Sequence, residues 1–485
     1  MSIKFGTSGW RAVIADEFTF PNVRKASRAI ADYVKSNSTR RNSPPKIIIG
    51  YDTRFNSKEF ALSAANILAS NGIKVFLTNR DTPTPVISFQ IIDKMADGGI
   101  NITASHNPPE YNGLKFSPSH GGPAAPAVTK AIEKHVAKIK GEVEEMPLSC
   151  FKYPIEEFNP KARYIERIKK LICLTAIRRA KLKVIVDLMH GTGRGYLDEI
   201  LKDAGCKIEV LNKNLDPLFG GHPPEPAKEN LDKLIAEVKK RRANLGLALD
   251  GDADRFGIAD EKGRFYTPNE VISLLFKHLV DTRERLGQVA RTHSTTTLID
   301  RIAHRYGIEV IETPIGFKYI GEVLSKKDCI IGGEESGGLS IANHLPEKDG
   351  ILACLLVVEM VAMQRKKLSR ILKDLYREFG KSYPGKLNFT LTEDEKSRLL
   401  NMLDKHPPKK IAGLKISESN RVDGYKFILE DSSWVLIRPS GTEPLVRCHF
   451  EGTSHNKAKK LATYCQNLIR LFKLPLKIAT PPEED

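Results

Sequence analysis

The stretch KIIIGYDTRFNSKEFALSAANILASNGIKVFL, residues 46–77, decides the fold class. Lys46 to Gly50 reads as a buried strand. Ser57 to Ser70 reads as a helix, with Ser57 as its N-cap. Gly72 suits the left-handed position that closes a helix, and Ile73 to Leu77 forms the next strand. A second helix, Val86 to Lys94, and a third strand, Gly99 to Ile102, follow. Strands alternating with helices imply a mostly parallel sheet. In such sheets ligands bind at loops beyond the carboxyl ends of strands, and the segment from Thr103 starts at such a place.

The helix–glycine–strand pattern recurs along the chain. Gly72-Ile73-Lys74-Val75 is echoed by Gly205-Cys206-Lys207-Ile208 and by Gly307-Ile308-Glu309-Val310. One copy would mean little, but three so far apart indicate three related α/β units. The second unit runs from about Ala162 to Gly257, with strands Leu182 to Asp187 and Leu245 to Leu249 and a helix after Arg194. The third runs from near Pro268 to near Gly380. Pro118 to Ala127, rich in Gly, Pro and Ala, reads as a loop. Beyond Gly380 the character changes. Asn388 to Thr390, Tyr425 to Glu430, Ser433 to Ile437 and Val446 to Glu451 read as strands, with Glu430 to Ser433 as a hairpin connection. Helical patterns flank them, so a smaller α+β domain is expected. The expected domains are 1–155, 156–262, 263–382 and 383–478, with a frayed tail from Thr480 to Asp485.

The net charge of +17 invites a nucleic-acid reading. Its distribution argues against one. The longest basic cluster, Lys239 to Arg242, ends a helical pattern, and no basic run is interleaved with aromatics as a stacking surface needs. A solvated basic surface or an anionic small substrate suits the same charge. The seven cysteines form no C-x-x-C pair, which reads as a reducing compartment. The opening residues read as structured sequence rather than an apolar signal segment. The longest apolar run, Ile351 to Met363, is broken by Glu359 and is too short to span a bilayer. A cytoplasmic protein without a membrane or nucleic-acid partner is therefore expected.

Four loops carry residues with chemical potential. The first is Thr103-Ala104-Ser105-His106-Asn107-Pro108-Pro109, followed by Asn112-Gly113-Leu114-Lys115. A serine hydroxyl is a weak nucleophile and needs a base or a charge-neutralising site; His106 and Lys115 place such groups nearby. The same residues also suit a plain turn. The second is Asp250-Gly251-Asp252-Ala253-Asp254-Arg255. Three alternating carboxylates converge on one cation if the loop curls, and oxygen-only ligands favour Mg²⁺ or Ca²⁺. Asp250, Asp252, Asp254 and Glu261 match EF-hand spacing, but Arg255 stands where that loop requires glycine, and a strand precedes the loop instead of a helix. A solvated acidic turn is the remaining alternative. The third is Gly332-Gly333-Glu334-Glu335-Ser336-Gly337-Gly338, whose carboxylates and hydroxyl suit sugar hydroxyls, or else a tight turn. The fourth is Arg438-Pro439-Ser440-Gly441-Thr442-Glu443-Pro444 with Arg447. Its arginine fork and hydroxyls match phosphate oxygens, or else it is a hairpin with a surface arginine.

Together, and in this order, the four loops resemble the α-D-phosphohexomutase family of phosphoglucomutases and phosphomannomutases. Phe5-Gly6-Thr7-Ser8-Gly9-Trp10-Arg11 is similar to that family's N-terminal signature. Pro223-Pro224-Glu225-Pro226 through Leu231 resembles the stretch before its metal loop. The likeness extends to about residue 470. It implies three related mixed α/β sheet domains plus a smaller C-terminal α+β domain around a central cleft. It implies that Ser105 is carried as phosphoserine, and that Asp250, Asp252, Asp254 and a phosphoserine oxygen bind Mg²⁺. His106, Arg11 and Lys115 match active-site positions, with Lys115 as the proton-transfer group. Glu334 and Ser336 match the sugar grip. Arg438, Ser440, Gly441, Thr442 and Arg447 match the clamp on the non-reacting phosphate. Arg255 and Lys318 are further substrate contacts on this reading.

The implied reaction interconverts hexose 1-phosphate and hexose 6-phosphate through a bisphosphate, with glucose 1,6-bisphosphate as activator. The expected assembly is a monomer or homodimer. Glu334-Glu335-Ser336-Gly337-Gly338 and Gly316-Phe317-Lys318 look like glucose-type members; members that also accept mannose often carry methionine for the second glutamate and histidine for Gly338. Glucose phosphates are therefore the expected substrates, with a phosphomannomutase, a dual glucose/mannose enzyme or an amino-sugar enzyme as alternatives. A metal-dependent phosphatase would not need the second phosphate clamp. A non-catalytic sensor would be expected to lose Ser105 or an aspartate, and none is missing.

Overall fold

The structure is a computed structural model that describes residues 3–6, 9–40, 42–283, 287–326, 328–440 and 444–473. Thr7 and Ser8 of the opening motif, Gly441 and Thr442 of the fourth loop, and the tail from Thr480 lie outside the described residues. The chain divides into two compact units, Met1–Thr295 with Ile302–Leu375, and Thr296–Arg301 with Tyr376–Asp485.

The first unit holds three sheets that repeat one arrangement. In the first sheet, Lys46–Tyr51 is central and parallel to Lys74–Thr78 on one side and Gly98–Ile102 on the other. Tyr111–Pro118 then returns antiparallel beside Gly98–Ile102. In the second sheet, Lys183–Asp187 is central between the parallel strands Lys207–Leu211 and Leu245–Leu249, and Phe256–Asp260 returns antiparallel. In the third, Gln288–Thr292 lies between the parallel strands Val310–Thr313 and Cys329–Gly333, and Leu339–Ile341 returns antiparallel. Additional strands extend two of the sheets: Trp10–Val13 and Glu156–Phe158 in the first, Phe265–Tyr266 in the second.

The three glycines act alike. Gly72, Gly205 and Gly307 have φ of 79°, 82° and 64°. Each donates its N–H three residues back, to Ala69, Lys202 and His304, and the following residue donates five back, to Leu68, Leu201 and Ala303. This is the Schellman closure of a helix, and it turns the chain into the next parallel strand.

The repeat has a functional consequence. Each parallel-to-antiparallel return is a turn at the carboxyl end of a strand. The first such turn carries Ser105, the second Asp250 to Asp254, the third Glu334 to Ser336. Three related folds therefore put three candidate loops at one topological position.

Several local expectations need correction. Asn56, with φ of 56°, precedes the helix Ser57–Ser70, and Ser57 is already helical. Its hydroxyl donates to buried Asp52 Oδ1 at 2.7 Å instead of capping. The next helix begins at Thr84, earlier than Val86, because Pro85 suits a first-turn position. The helix Pro126–Lys138 starts inside the stretch expected to be loop, again on a first-turn proline. Tyr111–Pro118 is a strand rather than the tail of a loop.

The apolar helix Gly350–Gln364 is buried along nearly its whole length and is capped by Asp349, which accepts from the Leu352 N–H. Glu359 within it is 1% exposed. Its carboxylate accepts from the Cys173 N–H at 2.5 Å and from Arg283 Nη2 at 2.9 Å, and lies 3.0 Å from His278 Nε2. Buried charge of this kind is tolerated only with such partners. Among the described residues no helix is long and apolar enough to cross a membrane.

The second unit contains one antiparallel sheet in the order Tyr383–Thr390, Leu445–Gly452, Trp434–Pro439, Tyr425–Leu429, Leu414–Asn420, Lys410–Ile411. Helices Glu393–Lys405 and His455–Lys473 contribute Leu399, Leu403, Leu461 and Leu468 to its core, facing Val435 and Ile437. Thr392 and Glu395 form a reciprocal capping box on the first of these helices. The Glu430–Ser433 connection is a hairpin turn, closed by the Leu429 N–H donating to the Ser433 carbonyl. Leu414–Asn420 escaped the sequence reading because its residues are mostly polar or charged.

Candidate active site

Ser105 follows the strand Gly98–Ile102, is 2% exposed and adopts φ of 54°. For a residue with a side chain that left-handed conformation costs about 1–2 kcal/mol and persists only where its surroundings hold it. Four contacts do so. The Ser105 N–H donates to Thr103 Oγ1 at 2.8 Å, and the Ser105 carbonyl accepts from Arg54 Nη2 at 2.7 Å. The hydroxyl donates to Asp250 Oδ2 at 2.9 Å and lies 3.2 Å from His106 Nδ1. Burial, with Arg255 and Arg11 nearby, pushes the His106 imidazole well below its ordinary pKa, which favours the neutral ring. Arg11 donates to Asn107 Oδ1 at 2.8 Å.

Asp250, Asp252 and Asp254 follow the buried strand Leu245–Leu249, and Ala253 takes φ of 57° between them. All three side chains are buried, and each offers an oxygen within 4.8 Å of the others. One small cation with oxygen ligands at about 2.0–2.6 Å spans such a set. Oδ1 of Asp252 and Oδ1 of Asp254 are buried without a hydrogen-bond partner. Burial, then the charges of Asp254 and Asp252, raise the Asp250 carboxyl well above its ordinary range. Burial also works against charge on Asp252, but Lys115 and Thr84 outweigh it and hold that carboxylate low. Crowded carboxylates with orphaned oxygens are what a divalent cation resolves, and the donor set fits Mg²⁺.

Cations ring the cluster. Lys115 Nζ lies 2.6 Å from Asp252 Oδ2 and 3.4 Å from Asp254 Oδ2. Lys348 Nζ lies 3.0 Å from Asp254 Oδ2. The Arg255 N–H donates to Asp250 Oδ1 at 2.8 Å, and its guanidinium reaches Glu225 at 3.4 Å. Thr84 donates its hydroxyl to Asp252 Oδ2 at 2.5 Å and its N–H to the Asp252 carbonyl. The third loop stands beside these groups. Glu334 is buried; burial raises its carboxyl, opposed by Lys348 and a hydrogen bond from Ser336. A Cβ on Gly338 would lie 2.3 Å from Lys348 Cδ and 3.0 Å from Glu334 Oε1, so a larger residue there would displace the Lys348 side chain.

The fourth loop belongs to the second unit. Arg438 and Arg447 are register partners on adjacent antiparallel strands. Arg438 Nε donates to Asp423 Oδ1 at 2.9 Å. Ser440 is buried, its N–H donating to the Leu445 carbonyl at 2.8 Å.

Four family models of the phosphoglucomutase/phosphomannomutase domains match in chain order. Alpha/beta/alpha domain I matches residues 2–142, domain II 162–263, domain III 267–379 and the C-terminal domain 388–465. The chain belongs to the phosphoglucomutase/phosphomannomutase family. It is therefore an isomerase of the phosphohexomutase type, acting on hexose phosphates. The chain is 32% identical to a phosphoglucomutase/phosphomannomutase of Thermococcus kodakarensis, over 98% of this chain and 99% of that one. It is 33% identical to a Methanosphaera stadtmanae protein described as a phosphoglucosamine mutase, over 96% and 98% of the two chains. The crystal structure of a Thermus thermophilus protein described as a phosphomannomutase superposes with a TM-score of 0.83 at 34% identity, covering 97% of this chain and 100% of that one.

In this phosphohexomutase the first unit gathers Ser105, His106, Lys115, Arg11, Asp250, Asp252, Asp254 and Arg255 through direct contacts or shared electrostatics. Glu334 joins through Lys348 and Arg255, and Ser336 through its hydrogen bond to Glu334. Lys318 sits in the helix Phe317–Lys326, its ammonium 5.2 Å from the Tyr319 ring centroid. Three site residues escaped the sequence reading. Arg54 and Thr84 act on loops far away in sequence, so no local spacing reveals them. Lys348 follows a polar turn without a signal of its own. The only local hint for Arg54 is that it lies just beyond the carboxyl end of the strand Lys46–Tyr51.

Proposed function

We propose that the enzyme interconverts hexose 1-phosphate and hexose 6-phosphate, glucose phosphates foremost, with Ser105 carrying the phosphoryl group between turnovers. One observation carries this reading. The buried Ser105 hydroxyl lies 2.9 Å from Asp250, beside aspartate oxygens that have no hydrogen-bond partner. A phosphoryl group on that hydroxyl would enter a site ready to hold a cation.

Asp250, Asp252, Asp254 and a phosphoserine oxygen would hold Mg²⁺. When bound, Mg²⁺ supplies positive charge against the charge spread over the phosphoryl oxygens. The chain's own residues do the remaining work. As the sugar oxygen–phosphorus bond forms and the Ser105 Oγ–phosphorus bond breaks, Lys115 Nζ in its neutral amine form takes the proton of the attacking sugar hydroxyl, and Ser105 Oγ takes up one in its place and leaves as a hydroxyl. His106 orients that oxygen, and Arg11 adds charge beside it. The product of this half is hexose 1,6-bisphosphate. It turns over in the site, and its other phosphate returns to Ser105, releasing the isomeric monophosphate. Glucose 1,6-bisphosphate primes an unphosphorylated enzyme by the same step.

Glu334 and Ser336 grip sugar hydroxyls, with Arg255 and Lys318 as further contacts. Arg438, Ser440, Gly441, Thr442 and Arg447 hold the phosphate that does not react. The assignment uses domains at 1–155, 156–262, 263–382 and 383–478. A reducing, cytoplasmic setting suits the seven cysteines, all of which are free thiols.

A second reading, an amino-sugar phosphate as main substrate, has the Methanosphaera relative in its favour. A coupled assay with Mg²⁺ and a trace of the matching bisphosphate separates the two. Glucose 1-phosphate is expected to give the highest kcat/KM, above mannose 1-phosphate and glucosamine 1-phosphate. A higher value for glucosamine 1-phosphate would move the assignment to amino sugars. Inorganic phosphate released at a comparable rate would contradict a mutase.

A further inference from the structure

Arg54 is fully buried as an ion pair with Asp52 at 3.1 Å, both side chains at 0% exposure. A guanidinium has five N–H donors in one plane, and here all are used. Nε faces Asp52. Nη1 donates to the carbonyls of Pro108 at 2.6 Å and Tyr111 at 3.0 Å. Nη2 donates to the carbonyls of Ser105 at 2.7 Å and Asn107 at 2.6 Å. Phe219 of the second sheet domain covers the guanidinium at 4.9 Å. Asp52 is itself tied to the sheet, its N–H donating to the Ile102 carbonyl at 2.9 Å.

These contacts fix more than a loop. The peptide group before Ser105 is held through its N–H by Thr103. The peptide group after it is held through its carbonyl by Arg54. With both neighbouring peptide planes set, the direction of the Ser105 side chain follows, and it points the hydroxyl at Asp250. The Pro108 carbonyl also accepts from the Tyr111 N–H at 3.1 Å, but the Ser105 and Asn107 carbonyls take their donors from Arg54, and buried carbonyls need such donors.

We propose that Arg54 is a positioning residue for phosphoryl transfer. It touches neither substrate nor metal; it winds the serine loop around its planar fork and so holds Ser105 in the left-handed conformation that aims it. This rests on Ser105 being the phosphoryl carrier. Lysine keeps the charge opposite Asp52 but not the planar set of donors, so charge and geometry can be separated.

The test uses two variants of the full chain. Arg54→Lys retains the ion pair. The double variant Asp52→Asn/Arg54→Met leaves no buried charge unpaired. Folding is checked by thermal melting, kcat and KM by the mutase assay, and the rate of Ser105 phosphorylation by glucose 1,6-bisphosphate through intact mass. Both folded variants are expected to lose roughly a hundred-fold in kcat, the scale of a misplaced reacting group. KM should stay within about three-fold, since ground-state sugar contacts are untouched, and phosphorylation should slow by the same factor as kcat. A folded Arg54→Lys enzyme with kcat within about two-fold of wild type would overturn the role of Arg54 alone. So would losses that merely track the fraction of unfolded protein. A wild type that carries no phosphoryl group on Ser105 would overturn the reading beneath, and this proposal with it.

Discussion

At the scale of single residues, the site depends on close approaches that only particular side chains permit. Gly251 is one. A Cβ there would lie 2.7 Å from the Ser105 carbonyl oxygen and 3.0 Å from Pro224 Cγ, so the aspartate turn and the serine turn meet backbone to backbone. Gly251→Ala must push them apart. A misplacement of about 1 Å near reacting groups costs about a hundred-fold, so kcat is expected to fall at least about ten-fold, with the protein still folded by circular dichroism. Activity within about two-fold of wild type would mean that the two turns do not touch as described. That Ser105 and the three aspartates are candidates was legible, because they stand in short motifs beyond apolar strands, and the structure brings them together. Arg54 was not. Its four carbonyl acceptors lie 51 to 57 residues further along the chain, and nothing near it in sequence differs from an ordinary polar turn.

At the scale of elements, the helix–glycine–strand unit accounts for most of what could be read in advance. Gly72, Gly205 and Gly307 each close a helix in the same way, and each is followed by a strand parallel to the central one. Gly72 offers a clean test, because no atom lies within 4 Å of a Cβ placed there. Gly72→Ala should therefore report backbone strain alone, about 1 kcal/mol of stability, with kcat/KM unchanged. Gly72→Asn should lose less, since asparagine tolerates this conformation. Equal melting for wild type and Gly72→Ala would show that the helix ends differently. The returning strands were harder to read. Tyr111–Pro118 mixes Asn, Gly and Lys with apolar residues, because Lys115 in its interior reaches Asp252 while Leu114 and Phe116 on either side of it are buried in the core. Trp10–Val13 is short, and its partner strand lies about a hundred residues away. The order of strands is set by such pairings, which local periodicity does not encode.

At the scale of the whole molecule, the repeated fold explains how one site comes to hold so many kinds of group. Each sheet domain of the first unit contributes the turn where its chain reverses, so the proposed nucleophile, a carboxylate cluster and a sugar-binding candidate arise from the same structural position. The basic balance of the chain is consistent with anionic sugar phosphates. The family assignment makes the enzyme a phosphohexomutase; the phosphoserine at Ser105 is the step on which the proposed mechanism depends. Intact mass spectrometry of the purified protein after incubation with glucose 1,6-bisphosphate and Mg²⁺ tests it most directly. The account predicts one added phosphoryl group on the wild type, still present after turnover of a hexose monophosphate because the bisphosphate returns it, and absent from Ser105→Ala, which should not turn over. A phosphoryl group that persists in Ser105→Ala, or a Ser105→Ala enzyme with activity near wild type, would contradict it.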